Sequence, residues 1–172
     1  MAVTTIYLAR HGLTVDNVAQ RMQGQRQGQL TPEGVAQVES LSTTLAGVHF
    51  HAIVASDLQR AVDSASIIAR PRGMAVTTTP LLRERDWGGF TGRYIPDLKG
   101  LPFPDNVESM EKLLARGRQF LDWAQAHYAW LTILAMGHGI INKAIQAVYH
   151  GKLTREIPRM SNAEVRILTL PR

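Results

Sequence analysis

Two histidines stand directly after short runs of apolar residues, each next to a glycine. The first run, Ile6 to Ala9, is followed by Arg10, His11 and Gly12; the second, Leu131 to Met136, is followed by Gly137, His138 and Gly139. Apolar runs of this length are typical of buried strands. In open α/β sheets, ligands bind outside the carboxyl ends of the strands. The two imidazoles are therefore expected to meet at one sheet edge, beside arginines suited to holding a phosphoryl oxyanion.

Phosphoryl transfer needs three kinds of group: a nucleophile, positive charge near the equatorial oxygens, and a proton for the leaving oxygen. His11 can attack phosphorus if one ring nitrogen is unprotonated while the other donates to a backbone carbonyl, for which Gly12 is the candidate. Arg10 and Arg60 are expected to lower the pKa of that imidazole and to present planar donor forks to phosphate oxygens. The nucleophile would then be available at neutral pH.

The elements that must position these residues alternate along the chain. Short apolar runs at 6–9, 52–55, 75–78, 131–136 and 165–170 predict strands. Helices are predicted from Thr31-Pro32 to Gly47, from a Ser56-Asp57 cap to Ala69, and from Asn106 to about Tyr128. This alternation is typical of βαβ units, so we expect an α/β fold, a three-layer α/β/α sandwich around a mostly parallel sheet. Residues 1–172 are expected to form one domain, with a short cap or loop region at about 80–110.

Composition narrows the classes of partner. The chain has 172 residues, a net charge of +5 and no cysteine, which excludes disulfides and metal binding through sulfur. Lys and Arg are scattered rather than gathered in a stripe, so a nucleic acid partner is not expected. No apolar stretch is long enough to span a membrane, and the first residues do not resemble a signal peptide. We therefore expect a cytoplasmic protein with no membrane partner.

Taken together, the motifs resemble those of the histidine phosphatase superfamily, which includes the cofactor-dependent phosphoglycerate mutases. The matching segments, in chain order, are Leu8–Thr14 with Asn17, Gln23-Gly24, Leu30–Gly34 with Gln37, Ser56–Ala61, Leu82–Arg85 with Gly88, and Gly137–Gly139. The resemblance covers nearly the whole chain and implies a phosphoglycerate mutase-like fold. It also implies a small phosphorylated substrate, with no cofactor and no metal.

The resemblance assigns roles to particular residues. It implies that His11 becomes phosphorylated, and that Glu84 protonates the leaving alcohol and later activates water. It implies phosphate binding by Arg10, Asn17, Gln23, Gly24, Arg60, His138 and Gly139. His138 and the amides after it would lie at a helix start, where partial positive charge favours an anion. Arg83 and Arg85 flank Glu84 and would oppose its role as an acid.

Departures from the family pattern bear on the substrate. Leu13, Asp16 and Thr91 stand where the family often has Glu, Trp and an acidic residue. The segment between Glu84 and His138, which forms an arginine-rich cap in the mutases, is short here. A mutase must shield its phosphorylated intermediate from water, so a short cap favours hydrolysis of a phosphomonoester. The alternatives left open are a mutase, a phosphohistidine-protein phosphatase and a catalytically silent phosphate-binding module, and a homodimer is also left open.

Other residues have simpler interpretations. His49, His51, His127 and His150 lie outside the motifs and are expected in surface or capping roles. Asn17 could only cap a turn, and Asn162 is interpreted as a turn or cap residue. Trp87 and Phe90 could pack the loop or touch substrate. Arg60 falls in the first turn of a predicted helix, where a cation is unfavourable, so an anionic partner explains it better than a solvated position.

Overall fold

The computed structural model describes residues 3–171; Met1, Ala2 and Arg172 of the expected domain lie outside the described residues. The described chain contains five strands: β1 (Val3–Arg10), β2 (Ala52–Ser56), β3 (Val76–Thr79), β4 (Thr132–Gly137) and β5 (Val165–Pro171). They form one sheet in the order β3-β2-β4-β1-β5. Neighbouring strands are parallel except β1 and β5, which are antiparallel. The predicted mostly parallel sheet is confirmed.

Helices cover both faces of this sheet. Side chains alternate between the two faces along a strand, and β1 buries Ile6 and Leu8 on one face and Ala9 on the other. The first face packs against α4 (Met110–His127) and α5 (Gly139–His150), and the second against α2 (Pro32–Thr44) and α3 (Gln59–Ala69). The predicted three-layer α/β/α sandwich is therefore confirmed. A short helix that the sequence did not indicate, α1 (Val15–Val18), follows β1.

Two helix ends differ from the predictions for local reasons. Helix α2 begins as expected, with Thr31 Oγ1 accepting from the Gly34 amide and Pro32 in the first position, but it ends at Thr44 and not at Gly47. Helix α3 is capped by neither Ser56 nor Asp57. Ser56 is still the last residue of β2, and the residue directly before α3 is Leu58. The Leu58 amide donates to Ser56 Oγ.

The predicted start of α4 at Asn106 is also wrong. The side chain of Asn106 accepts a hydrogen bond from the Gly89 amide. Asn106 therefore connects two parts of the loop before α4 and does not cap the helix. The cap is instead Ser109, whose Oγ accepts from the Lys112 amide 3.1 Å away, and α4 begins at Met110. A capping serine or threonine satisfies an amide that has no partner within the helix.

The region between β3 and α4 consists of three short 3-10 turns, Pro80–Leu82, Gly88–Phe90 and Ile95–Leu98. It is joined to the segment after α1, because the Met22 amide donates to the Arg93 carbonyl and the Ile95 amide donates to the Gln20 carbonyl. Ile95 and Trp87 thereby reach the cavity at the carboxyl end of the sheet. None of the described helices is long and apolar enough to cross a membrane.

Strand register brings the two motif histidines together. β1 and β4 are parallel neighbours, with Arg10 opposite Gly137, so both strands end at the same edge. The next residue after each pair is a histidine, and the His11 amide donates to the Gly137 carbonyl. Since residues opposite one another in adjacent strands lie about 5 Å apart, this register alone places His11 beside His138.

Candidate active site

A cavity of about 350 Å³ opens at the carboxyl ends of β1 and β4. It is lined by eight of the residues predicted for the site: Arg10, His11, Asn17, Gln23, Gly24, Arg60, Glu84 and Gly139. Trp87, which could pack the loop or touch substrate, also lines it. The other lining residues had no predicted role: Arg21, Met22, Ile95, Ile140, Lys143 and Arg159. His138 is not on the lining; it lies against His11 inside the protein.

The protein holds His11 in one tautomer. Its ring is 2% exposed, and Nδ1 lies 2.7 Å from the Gly12 carbonyl oxygen. A carbonyl can only accept, so Nδ1 carries the proton and Nε2 keeps a lone pair. Burial is the largest cause that lowers the pKa of His11 to about 3, followed by the charge of Arg60, with Arg10 contributing less. The expected hydrogen bond is present, but burial, and not the arginines, has the greater effect on the pKa.

His138 caps α5 and is fully buried. Its ring meets the ring of His11 edge-on, with centroids 5.1 Å apart and planes at 61°. Within residues 3–171, neither of its ring nitrogens has a hydrogen-bond partner. Burial, then the charges of Arg60 and His11, lowers the pKa of His138 well below its usual value. His138 is thus a neutral imidazole with unused hydrogen-bonding capacity next to His11.

Arg60 is fixed by the backbone of the segment 24–28. Its Nη2 donates to the Gly24 carbonyl at 2.8 Å, and its Nη1 donates to the Arg26 carbonyl. Gly28 has φ +76°, and a Cβ there would lie 2.9 Å from Arg60 Cδ, so glycine lets this segment close around the arginine. Burial lowers the pKa of Arg60 to about 10, so the guanidinium is still cationic at neutral pH and has little freedom to move.

Arg10 is held in a similar way from another side of the site. Its Nη1 donates to the Met160 carbonyl at 2.7 Å, and its Nε has no partner within the described chain. The Nε of Arg60 likewise lacks a partner there. Buried donors without acceptors cost free energy, and these donors lie around the cavity that His11 lines.

Glu84 occupies the helix start where the sequence placed an anion. Its carboxylate accepts from the amides of Arg85, Ile140 and Ile141 at 2.8 to 3.0 Å. Two of the first three amides of α5, those of Ile140 and Ile141, are therefore bound by a protein carboxylate. Phosphate binding by Gly139 stays a prediction. The same contacts hold Glu84 on the wall of the cavity, beside Gly139.

The two arginines beside Glu84 have other partners. Arg83 forms a double hydrogen bond with Asp57 at 2.7 Å, and Arg85 donates to the Glu108 carbonyl while its guanidinium lies 4.6 Å from the centre of the Trp87 ring. Neither forms an ion pair with Glu84 among the described residues. Burial lowers the pKa of Arg85, while the charges of Glu108 and then Glu84 raise it. Arg85 therefore still interacts with Glu84, and the expectation that these arginines oppose its role as an acid stays a prediction.

Arg116, from α4, supports the loop that carries Glu84. It donates to the carbonyls of Leu81, Arg83 and Glu84. It also forms an ion pair of 2.8 Å with Glu108. No motif pointed to Arg116, since its contacts join segments that are distant in sequence.

Asn17 and Gln23 both line the cavity and brace the loop after β1. Asn17 Oδ1 accepts from the Thr14 amide at 3.1 Å, and Gln23 Oε1 accepts from Thr14 Oγ1 at 2.9 Å. Asn17 therefore completes the capping box of α1, whose first residue is Thr14, and it also lines the cavity. Its contact with phosphate stays a prediction. Asn162 does more than shape a turn, because its Nδ2 donates to the His11 carbonyl at 3.1 Å.

Small residues bring the nucleophile loop against two helices. A Cβ on Gly12 would lie 2.5 Å from the Gly34 carbonyl oxygen, and one on Gly34 would overlap the Leu13 backbone. The hydroxyl of Ser64, on α3, accepts from the Gly12 amide at 3.1 Å and donates to the Arg60 carbonyl at 2.8 Å. These contacts tie the position of His11 to the helices that carry its neighbours.

A second cavity, of about 520 Å³, lies near the start of β1 and the end of β5, and Thr4 and Leu170 are on its wall. Its lining contains neither histidine nor arginine. No group of three or more His, Cys, Asp or Glu side chains within residues 3–171 could hold a metal ion. The four histidines outside the motifs, His49, His51, His127 and His150, are absent from the lining of the first cavity.

Nearly the whole chain resembles proteins of one superfamily. The sequence profile of the histidine phosphatase superfamily (branch 1) matches residues 6–172. The chain belongs to this superfamily. Two solved structures are similar to this chain. "Mycobacterial hydrolase 1" has a TM-score of 0.89 and 25% sequence identity, and the match covers 97% of this chain and 92% of that one. The mycobacterial glucosyl-3-phosphoglycerate phosphatase in complex with VO3 has a TM-score of 0.87 and 27% identity, and the match covers 95% of this chain and 91% of that one.

Other histidine phosphatase superfamily relatives have a different name. The probable phosphoglycerate mutase GpmB of Proteus mirabilis (strain HI4320) is 41% identical over 93 residues, which are 54% of this chain and 43% of that protein. The GpmB protein of Yersinia pestis (strain Pestoides F) is 38% identical over the same length. This chain thus aligns with less than half the length of these curated relatives. Proteins named phosphatase and proteins named mutase both occur among its relatives.

Proposed function

We propose that this protein hydrolyses small phosphomonoesters through a covalent phosphohistidine on His11. One observation carries the proposal: His11 lines a cavity together with Arg10 and Arg60, and its buried Nδ1 is bound to the Gly12 carbonyl, which leaves Nε2 unprotonated. Because the pKa of His11 is about 3, the nucleophile stays neutral throughout the physiological pH range. Attack on phosphorus requires an imidazole that is held in position and unprotonated, and His11 is in that state.

The reaction has two steps. Nε2 of His11 bonds to phosphorus while the bond from phosphorus to the ester oxygen breaks, and that oxygen takes the electron pair and a proton from Glu84. Water then attacks the phosphohistidine, gives a proton to Glu84, and releases inorganic phosphate with the electron pair of the broken bond returning to Nε2. Glu84 is thus the acid of the first step and the base of the second. The residue ends the cycle as it began.

The buried donors stabilise the charge on the moving group. Arg10 and Arg60 each have an Nε with no partner in the described protein, and phosphoryl oxygens supply acceptors for them. His138 has both ring nitrogens unpartnered and lies beside His11, so it donates to a phosphoryl oxygen once phosphorus is bonded to Nε2. Donors already in place before the reaction stabilise a transition state without the cost of reorganisation. This chemistry uses no metal ion.

Hydrolysis of the ester is favoured over the mutase reaction, in which the phosphoryl group moves between two positions of one substrate. The cover above the cavity comes from short turns, and Ile95 on its wall is 44% exposed. Water can therefore reach the phosphohistidine, whereas a mutase must exclude it. Support also comes from the mycobacterial glucosyl-3-phosphoglycerate phosphatase, whose structure superposes on this chain over 91% of its length. The sequence matches to relatives named mutase, such as one that is 41% identical over 93 residues, point to the other reaction. A mutase remains the second candidate because of those names.

The test is to trap the intermediate. A labelled phosphomonoester is mixed with the protein, the reaction is quenched rapidly, and the label is expected on His11 in an acid-labile, base-stable bond. His11→Gln should remove the label, and the matched control His127→Gln, on the outside of α4, should retain it. Turnover should continue in the presence of a chelator.

The products separate the candidates. Inorganic phosphate in amounts equal to the alcohol supports the hydrolase, and an isomer of the starting ester formed without free phosphate supports the mutase. Activity that persists in His11→Gln would refute the proposed mechanism. Tight vanadate binding with no turnover of any ester would indicate a silent phosphate-binding module instead.

A further inference from the structure

Three cations on the cavity wall are left over after the phosphoryl group has been accommodated. Arg21, Lys143 and Arg159 line the same cavity as His11. None of them forms an ion pair with a carboxylate in the described part of the chain, where the recorded ion pairs involve other cations. The carboxylate of the lining belongs to Glu84, and backbone amides already bind it. These cations therefore have no protein anion to balance them.

The charge of the lining exceeds what a simple phosphomonoester can neutralise. Arg10, Arg21, Arg60, Lys143 and Arg159 supply five positive charges and Glu84 one negative charge, a net charge of +4 with the histidine neutral. A phosphomonoester dianion offsets two of these. A cleft of one sign attracts ligands of the opposite sign, and the remaining charge matches a more anionic molecule.

Lys143 brings a positive charge to the cavity wall from α5. It lies on α5 four residues after Gly139, so both residues occupy one face of the helix, and both line the cavity. Lys143 is half-buried rather than extended into solvent, so its ammonium group is available to an anion inside the cavity.

Arg159 extends the positive surface away from His11. The residue after it, Met160, binds Arg10 through its carbonyl, and the charge of Arg159 helps to lower the pKa of Arg10, second to burial. Arg159 and Arg10 also line two adjoining hollows, one with Asn162 and Ser161 and one with Asn17. The cavity thus continues along Arg159 beyond the phosphoryl end.

We propose that the substrate carries a second anionic group, a carboxylate or another phosphoryl group, and that Lys143 and Arg159 bind it. This inference rests on the proposed function, since it takes the phosphoryl end of the substrate to be at His11. Met22, Trp87 and Ile95 supply apolar lining for the carbon skeleton between the two anionic ends. Lys143 and Arg159 are specificity residues and take no part in bond breaking.

The test compares pairs of esters that differ in the second group. 3-Phosphoglycerate is paired with glycerol 3-phosphate, and fructose 1,6-bisphosphate with fructose 6-phosphate, which distinguishes a carboxylate from a phosphoryl group. The more anionic member of at least one pair should have a kcat/KM about 10- to 100-fold higher, and added salt should reduce that ratio. Lys143→Met and Arg159→Met should each reduce the ratio about tenfold, mainly through KM. The control Lys152→Met, exposed beyond the end of α5, should keep it.

Binding measurements separate this inference from the proposed function. His11→Gln cannot form phosphohistidine, so calorimetry on that variant reports recognition alone, and it should bind the more anionic member of the preferred pair more tightly. Equal binding and equal kcat/KM within both pairs, with phosphohistidine still formed, would overturn the second-anion site and leave the hydrolase intact. Preferential binding without phosphohistidine in the wild type would overturn the hydrolase and keep the site.

Discussion

Replacing His11 by glutamine should make the fold less sensitive to acid. The pKa of His11 is lowered from 6.5 to about 3, first by burial and then by Arg60. As the pH falls through 6.5 the unfolded chain takes up a proton, while the folded chain does not until about pH 3. A lowered histidine pKa therefore contributes stability above about pH 6.5 that is lost as the pH falls toward 3.

The size of the effect follows from these two pKa values. Between about pH 7 and about pH 4.5, His11 should remove about 2.5 kcal/mol from the free energy of unfolding. That loss hardly changes if the folded pKa is one unit higher, because the folded imidazole is then still mostly neutral at pH 4.5. His138 adds a loss in the same direction in the wild type and in the variant, since burial is the first cause of its lowered pKa and Arg60 the second.

The assay is urea unfolding, followed by tryptophan fluorescence, at both pH values. The fall in the free energy of unfolding should be about 2.5 kcal/mol smaller in His11→Gln than in the wild type. The control His150→Gln, exposed at the end of α5, should show the wild-type fall. If His11→Gln lost as much stability on acidification as the wild type, the account of His11 as a buried neutral imidazole would be wrong.

Two further predictions concern the groups that position the site. Gly34→Ala should destabilise the protein by about 1 to 3 kcal/mol and lower kcat about 100-fold, since the new Cβ would overlap the Leu13 backbone. The control Gly47→Ala, whose Cβ meets nothing within 4 Å, should change neither quantity. Thermal melts and kinetics on the two alanine variants check this, and equal melting temperatures would contradict it. Arg116→Met should release the loop that holds Glu84 and lower kcat about 10- to 100-fold for alkyl phosphates. The loss of kcat should be smaller for p-nitrophenyl phosphate, whose leaving group needs no proton. Equal losses for the two kinds of substrate would mean that Arg116 does not act through the proton donor.

Much of the fold could be predicted because its signals are local. Apolar runs predicted the strands, and the Thr31-Pro32 pair predicted the start of α2, since a cap and a proline act within one turn. The positions of His11 and His138 at the ends of two strands predicted that they meet. The tautomer of His11 was also predictable, because its partner is the carbonyl of the next residue.

The limits of helices depended on contacts that the local pattern does not contain. Asn106 looked like the start of α4 but binds the amide of Gly89, 17 residues away. Asp57 looked like a cap for α3 but pairs with Arg83, 26 residues away. Polar side chains can satisfy either a helix end or a distant loop, and only the folded chain decides which.

By itself the sequence determined the residue types of the site and the strand ends that deliver His11 and His138, because both follow from short-range patterns and family-like motifs. Only the tertiary structure decided that Glu84 occupies the start of α5, that burial dominates the pKa of His11, and that Lys143 and Arg159 reach the same cavity. Burial and electrostatic proximity are properties of the packed chain. They depend on which distant segments come together, and this is not encoded in the spacing of residues along any one segment.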